Sequence, residues 1–257
     1  MNQSERRNYL IQKLLEEQPQ YAKMQIPGRC EEQKMLLRSL MNIRMPGKIN
    51  KEFQQIQDAY LAEENAAKGV VTPADMEELF PEIYLWKGDI TRLQVGAIVN
   101  AANSGMTGCY QPCHNCIDNC IHTYAGIELR NYCNDIMQRQ GYAEPTGQAK
   151  ITPAFNLPCD YVIHTVGPIV RGKLTAEHER LLVSCYEACL RIAEENNIES
   201  IAFCCISTGV FMFPNERAAE LAIQTVKQYK DRTKSKIKVI FNVFKEDDER
   251  IYRRFLG

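Results

Sequence analysis

From Ile83 onward the chain alternates short, β-branched apolar runs with longer amphipathic stretches, and this alternation narrows the possible folds more than any other feature. Parallel strands need long crossovers, so such a pattern predicts a mostly parallel sheet covered by helices. Strands are expected over 83–86, 97–100, 149–152, 161–164, 200–205 and 238–243, and helices over 117–140, 176–195, 215–229 and 247–255. Asn215 and Glu216, after Pro214, supply a cap and an acidic first turn for one of them.

The preceding residues have a different texture, rich in Gln, Glu, Lys, Met and Leu. Leu10, Leu14 and Leu15 recur at helical spacing, as do Met35, Leu36, Leu40 and Ile43, and then Phe53, Ile56, Ala59, Tyr60 and Ala67. Pro27-Gly28, Pro46-Gly47 and Gly69 punctuate these stripes. The expectation is a small all-helical extension over 1–81, whose apolar faces need a surface to bury against, followed by an α/β domain over 82–257.

Charge excludes one broad class of function. Thirty-one Lys+Arg stand against 32 Asp+Glu, a formal net charge of -1, so no general attraction draws a polyanion and bulk nucleic-acid binding is not expected. No apolar run reaches the length of a membrane span, and the charged first residues do not read as a signal peptide. A reducing, cytoplasmic setting follows as an expectation, and it changes the meaning of the eleven cysteines. In such a compartment Cys109, Cys113, Cys116, Cys120 and Cys133, crowded into one stretch, read as metal ligands or buried thiols before they read as disulfides.

Four loops follow the short apolar runs, where open α/β sheets bind ligands. They are Lys87-Gly88-Asp89-Ile90, Asn100-Ala101-Ala102-Asn103-Ser104-Gly105, Thr165-Val166-Gly167-Pro168 and Ser207-Thr208-Gly209-Val210. Each alone is compatible with an ordinary turn; four at one sheet edge point to a ligand site, and the last has the hydroxyls and free N–H groups of a phosphate cradle. Neither a G-x-G-x-x-G nor a G-K-[ST] string is present, which argues against the commonest nucleotide folds. Between the second loop and the next helix, Cys109, Cys113, His114, Cys116, Cys120 and His122 offer soft and borderline ligands suited to zinc. Spacing does not choose among these six. Cys120 also reads as a small buried hydrophobe, and the same reading applies more firmly to Cys133, Cys159, Cys185, Cys189, Cys204 and Cys205. His164 reads as a core histidine and His178 as a solvated helix residue.

Read together, Lys87-Gly88-Asp89-Ile90-Thr91, Ile98-Val99-Asn100-Ala101-Ala102-Asn103, Tyr161 to Pro168 and Ile206-Ser207-Thr208-Gly209 resemble a macrodomain, the fold that binds ADP-ribose. The insert around 108–122 and the helical extension resemble the zinc-containing branch of that family, whose members are mono-ADP-ribosyl hydrolases often encoded near a sirtuin-like ADP-ribosyltransferase and a lipoyl-carrier protein of the glycine-cleavage type. The resemblance implies Cys109, His114 and Cys116 as zinc ligands, with Cys113 an additional thiol. It implies that Asp89 accepts from the adenine amino group with the Ile90 N–H nearby, that Asn103 meets the distal ribose, and that Ser207, Thr208, Gly209 and Val210 wrap the diphosphate. Phe211 lies in the segment where ordinary hydrolytic macrodomains carry Gly and Tyr, and would flank the distal ribose without a phenolic hydroxyl.

On that footing the expected activity is zinc-dependent hydrolysis of the bond between ADP-ribose and a side chain of a mono-ADP-ribosylated protein, releasing ADP-ribose. Asn103 and Asp118 are the expected catalytic pair. Asp118 serves as a base or as hydrogen-bond partner of a metal-bound imidazole, or merely complements the N-terminus of its helix. Two other readings stand beside it: a non-catalytic ADP-ribose-binding module with a structural zinc, and an interaction module in which the helical extension matters and the pocket is vestigial.

Overall fold

The computed structural model describes residues 1–21 and 23–257. Three helices open the chain: α1 (Gln3–Glu16), α2 (Cys30–Ile43) and α3 (Lys51–Ala67). Asn2 and Glu5 form a reciprocal capping box at α1, and the Asn50 side chain caps α3. Leu10, Ile11, Leu14 and Leu15 meet Leu37, Leu40, Met41, Phe53, Tyr60 and Leu61 in a small core that also takes in Ile127. That residue comes from the α/β part of the chain, so the stripes find their partner surface there.

The rest is a seven-stranded sheet of β1 (Glu77–Phe80), β2 (Ile83–Lys87), β3 (Ala97–Ala101), β4 (Ala149–Pro153), β5 (Tyr161–Thr165), β6 (Ser200–Phe203) and β7 (Lys238–Val243). Helices α4 (Ile117–Ala125), α5 (Ile127–Gln140), α6 (Ala176–Glu195), α7 (Asn215–Thr233) and α8 (Glu246–Leu256) accompany it. The strand order is β1-β2-β7-β6-β3-β5-β4. The five inner strands are parallel, while β1 and β4 pair antiparallel at the two edges. This is the expected α/β architecture: a mixed, mostly parallel sheet flanked by helices, with an N-terminal helical extension. Among the described residues, no helix is long and apolar enough to cross a membrane.

Four details differ from the sequence expectation. The helix expected over 117–140 is two helices, because Gly126 takes φ +101° and a Cβ there would lie 2.8 Å from Gln57 Nε2 of α3. Gln57 Oε1 in turn accepts from the Ile127 N–H, at the start of α5. The strand expected over 200–205 stops at Phe203, and Cys204-Cys205 already belong to the following loop. Asn215 is the first residue of α7 rather than its side-chain cap, and its amide donates to Asp248 Oδ1 at 2.6 Å. Strand β1, unmarked in the sequence, is mostly exposed and holds the sheet edge.

The sheet order also fixes where a ligand can sit. From β3 the chain proceeds to the β4–β5 side of the sheet, and from β6 it proceeds to β7. Neighbouring parallel strands thus send their loops in opposite directions, opening a crevice at their carboxyl ends. The loops at this switch point are 102–116 and 204–214.

Candidate active site

The β6–α7 loop forms one wall of the crevice. Ser207 has φ +66° and Met212 φ +57°, and the turn is closed by the Phe213 N–H on Ser207 O (3.0 Å) and the Met212 N–H on Gly209 O (3.0 Å). Among the described residues, the N–H groups of Gly209, Val210 and Phe211 donate to no protein acceptor, and Gly209 and Val210 are exposed. Consecutive free N–H groups around a left-handed residue make an anion-binding concavity without any basic side chain. The loop is braced from the segment that follows β5: Val170 N–H donates to Phe211 O (2.9 Å), and Gly167 lies so close that a Cβ would come within 2.0 Å of Ser207 Oγ. Ser207 Oγ is buried and, among the described residues, meets no hydrogen-bond partner.

Asn100, Asn103 and Asp118 build the opposite wall. Asn100, on β3, is fully buried and donates from Nδ2 to Asp118 Oδ1 at 2.8 Å. Asn103, beyond the strand end, donates from Nδ2 to Asp118 Oδ2 (3.2 Å) and to Gly108 O (3.1 Å). Both amide hydrogens of Asn103 are therefore committed inward, and its Oδ1, which accepts from the Gly105 N–H at 2.9 Å, keeps a lone pair for a ligand hydroxyl. Asp118 lies in the first turn of α4, and burial pushes its carboxyl up to about 6 against the opposing pull of its amide donors and Arg130.

Between Asn103 and α4 lies the cysteine-rich loop. Cys109, His114 and Cys116 bring their ligating atoms within 4.8 Å of one another. Cys109 Sγ stands 3.7 Å from His114 Nδ1, close to the roughly 3.6 Å edge that a tetrahedron with metal–sulfur and metal–nitrogen bonds of about 2.3 and 2.1 Å would have. Burial pushes the Cys116 thiol up to about 12, and the neighbouring Cys109 adds to the rise. The buried Cys116 thiol is therefore ionised readily only beside a cation, and a donor set of two sulfurs and one imidazole fits a divalent ion such as zinc. The other three sulfur and imidazole groups lie elsewhere. Cys113, at φ +50°, turns to Ser39 Oγ of α2 (3.2 Å); Cys120 receives Arg38 Nη2 at 3.6 Å; His122 is buried behind Gly108.

At the far end, Asp89 Oδ1 accepts from the Thr91 N–H (3.0 Å) and hydroxyl (2.7 Å), while Oδ2 faces Lys68 Nζ at 3.7 Å. Among the described residues the Ile90 N–H has no protein acceptor. Lys68 comes from the end of the extension, and burial pushes it down to about 8. Neither Lys68 nor Phe244 was expected at the site. Phe244 follows β7 and is 76% exposed, beside the Gly88 N–H to Val243 O bond that joins this loop to the sheet; an aromatic directly after an apolar strand was the available signal.

Likeness to known proteins bears on this arrangement. A family profile described as Macro domain matches residues 99–222. Over the whole of both chains, the sequence is 56% identical to a protein-ADP-ribose hydrolase of Treponema medium. An Oceanobacillus iheyensis macrodomain with ADP superimposes with a TM-score of 0.63 at 34% identity, covering 70% of this chain and 93% of that one. A Trypanosoma brucei macrodomain in complex with ADP-ribose gives a TM-score of 0.66 at 26% identity, covering 86% and 95%.

Proposed function

The chain belongs to the macrodomain family and is a hydrolase of its protein-ADP-ribose class, and from that premise we propose that it cleaves the glycosidic bond between ADP-ribose and a side chain of a mono-ADP-ribosylated protein, with zinc at Cys109, His114 and Cys116. One observation carries this reading: the three-residue donor set and the Asn103–Asp118 pair share one lip of a crevice whose other lip is a loop of free N–H groups.

In this reading Gly209, Val210 and Phe211 receive the diphosphate through backbone N–H groups, consistent with a chain that carries no excess positive charge. Asp89 and the Ile90 N–H read the adenine edge, with the Phe244 ring available to stack on its face. Ser207 and Thr208 shape the phosphate turn, and Phe211 walls the distal ribose. Asn103 accepts a ribose hydroxyl on Oδ1, and Asp118 fixes its orientation by holding the amide nitrogen. A bound zinc with a fourth position open would supply Lewis acidity at the anomeric end of the sugar. The partner is a modified protein, of the lipoyl-carrier type to which the sequence resemblance points. We place residues 1–81, apart from edge strand β1, as a flank of the 82–257 macrodomain. The eleven unpaired thiols suit a reducing compartment such as the cytoplasm.

Released ADP-ribose, measured by chromatography from an automodified protein substrate, tests the assignment. Metal removal by a chelator, or Cys116→Ala, should lower turnover by about 100-fold or more, several kcal/mol of transition-state stabilisation, while calorimetry still detects binding of free ADP-ribose. Unchanged turnover in protein shown by elemental analysis to be metal-free would overturn the zinc assignment. Binding of ADP-ribose without any turnover of the metal-loaded protein would favour the non-catalytic module.

A further inference from the structure

Beneath the crevice, His122, Cys133 and His164 form a second cluster with ligating atoms within 4.8 Å of one another, all three buried. Hydrogen-bond donors and acceptors argue against an ion there. Asn100 Nδ2 lies 2.8 Å from Asp118 Oδ1 and 3.1 Å from His164 Nδ1. A carboxylate only accepts, so the NH2 end of Asn100 faces it, and the second hydrogen of that group points to His164 Nδ1, which must accept. The ring proton of His164 then sits on Nε2 and is donated to Thr152 Oγ1 at 3.0 Å, whose own hydrogen lies toward Val162 O at 3.5 Å. Both nitrogens of His164 are engaged, leaving no lone pair for a metal.

Every member of this chain is shielded from water. Asn100 and His164 are 0% exposed, Thr152 2% and Asp118 5%, so no solvent molecule substitutes freely for a lost partner. Burial also holds the His164 imidazole neutral, its pKa pushed down to about 3.

We propose that Thr152 and His164 are positioning residues for Asp118: the Thr152 hydroxyl, its own hydrogen directed to Val162 O, accepts from His164 Nε2–H and so favours the tautomer whose Nδ1 holds the second Asn100 amide hydrogen, which keeps the Asn100 amide nitrogen on the Asp118 carboxylate. Asp118 passes the constraint to Asn103, whose carbonyl is thereby presented to the sugar. The last link rests on the hydrolase reading; the chain as far as Asp118 rests on geometry alone.

Thr152→Val keeps the shape of the side chain and removes the hydroxyl, and Thr152→Ser restores it. The full-length, metal-loaded protein is compared in three measurements: ring nitrogen chemical shifts of His164 by NMR, binding of free ADP-ribose by calorimetry, and kcat and KM on an ADP-ribosylated protein. The wild-type and serine forms should show the Nε2–H tautomer, and in the valine form a measurable share of the ring should shift to Nδ1–H. In the valine form kcat should fall about tenfold, the equivalent of one hydrogen bond's worth of orientation, with KM and the ADP-ribose Kd changed less than about threefold, and serine should recover most of the loss. A purely structural role would lower the melting temperature without moving the tautomer or separating kcat from KM. An Nδ1–H tautomer in the wild-type protein overturns the proposal, as does a valine form whose ring has switched while kcat is unchanged. The wild-type spectrum decides the chain up to Asp118 even if the valine form does not fold. If the wild-type protein shows no turnover at all, the hydrolase reading fails, while an Nε2–H ring still supports this chain.

Discussion

Gly167 decides whether the β6–α7 loop, the proposed diphosphate cradle, can take its shape. Ser207 occupies the left-handed region, which costs a non-glycine residue about 1–2 kcal/mol, and it stays there because Phe213 and Val170 tie the turn from both sides. Gly167 is the surface against which that turn closes. A Cβ placed there would stand 2.0 Å from Ser207 Oγ and 2.9 Å from Ile206 Cγ2, and both neighbours are buried. Gly167→Ala should therefore push the loop outward, at about 1–3 kcal/mol of stability, and weaken free ADP-ribose about tenfold as the three N–H groups lose their common focus. Pairing it with Ser207→Gly removes the clashing hydroxymethyl and the backbone strain together, and should return much of the affinity in calorimetry. Equal affinity for wild type and the single variant would show that this loop does not hold the diphosphate. The sequence marked these loops well, because small residues after a buried strand have few other uses. It did not show that Asn103 spends both amide hydrogens on Gly108 and Asp118, since that depends on a partner 15 positions away whose side chain only the fold brings back.

Helix α2 clasps the cysteine-rich loop. Arg38 Nη2 donates to His114 O (2.8 Å) and Asn119 Oδ1 (2.9 Å), and Asn42 accepts from the Cys113 N–H (2.9 Å) while donating to the Thr123 hydroxyl (2.9 Å). From the other side, Arg130 of α5 donates to Met41 O, Asn42 O and Arg44 O, placing a buried cation on the last carbonyls of α2. Its ring contact with Tyr110, 4.3 Å from guanidinium to centroid, continues into the same loop. The extension thus orients the backbone that carries His114, and Arg38→Ala should weaken zinc about tenfold, as loss of a group supporting a metal ligand does, in competition with a chromophoric chelator. An unchanged affinity would reduce the clasp to a packing contact. Strands β3, β5, β6 and β7 were legible because buried β-branched runs have no better explanation. Strand β1 was not, since Glu77-Glu78-Leu79-Phe80 lies at an edge and buries little. The break between α4 and α5 needed Gly126 to be read as a close approach of Gln57, a contact 69 residues apart in the chain that periodicity cannot report. Likewise the six possible ligands of the insert are equivalent on paper. Only the turn that sends Cys113 to Ser39 and Cys120 to Arg38 separates them from Cys109, His114 and Cys116.

Across the whole molecule, the thiols not gathered at the crevice make the fold sensitive to alkali. Cys133, Cys159, Cys185, Cys189 and Cys204 are buried, and burial raises the pKa of each: to about 12 for Cys133, Cys159 and Cys204, to about 11 for Cys185, and well above its usual value for Cys189. A thiol raised in the folded state gives stability that is complete below its unfolded value near 9 and is lost as pH climbs above it. Lys68, lowered to about 8 from 10.5, acts in the opposite sense between those values, because there the unfolded chain holds a proton the folded one has released. Cys205 is raised as well, and the buried thiols outnumber the one lysine, so the balance above roughly pH 9 is a loss of stability as pH rises. A domain of ordinary stability, about 5–15 kcal/mol, should then unfold within a few pH units of that point. Buried Tyr186 and Tyr252, both raised by desolvation, steepen the loss once the unfolded chain's phenols ionise near 10. Circular dichroism in reductant from pH 8 to 11 should show a cooperative transition that sets in above pH 9. Replacing Cys159 and Cys189 together by Ala removes two of the raised thiols, so denaturant-derived stabilities of that variant should fall less steeply with pH than those of the wild type, whatever its stability at pH 8. A wild-type protein that keeps full ellipticity at pH 11 would mean that these sulfurs are reached by water, and that the sheet is less tightly covered by its helices than the burial of its strands implies.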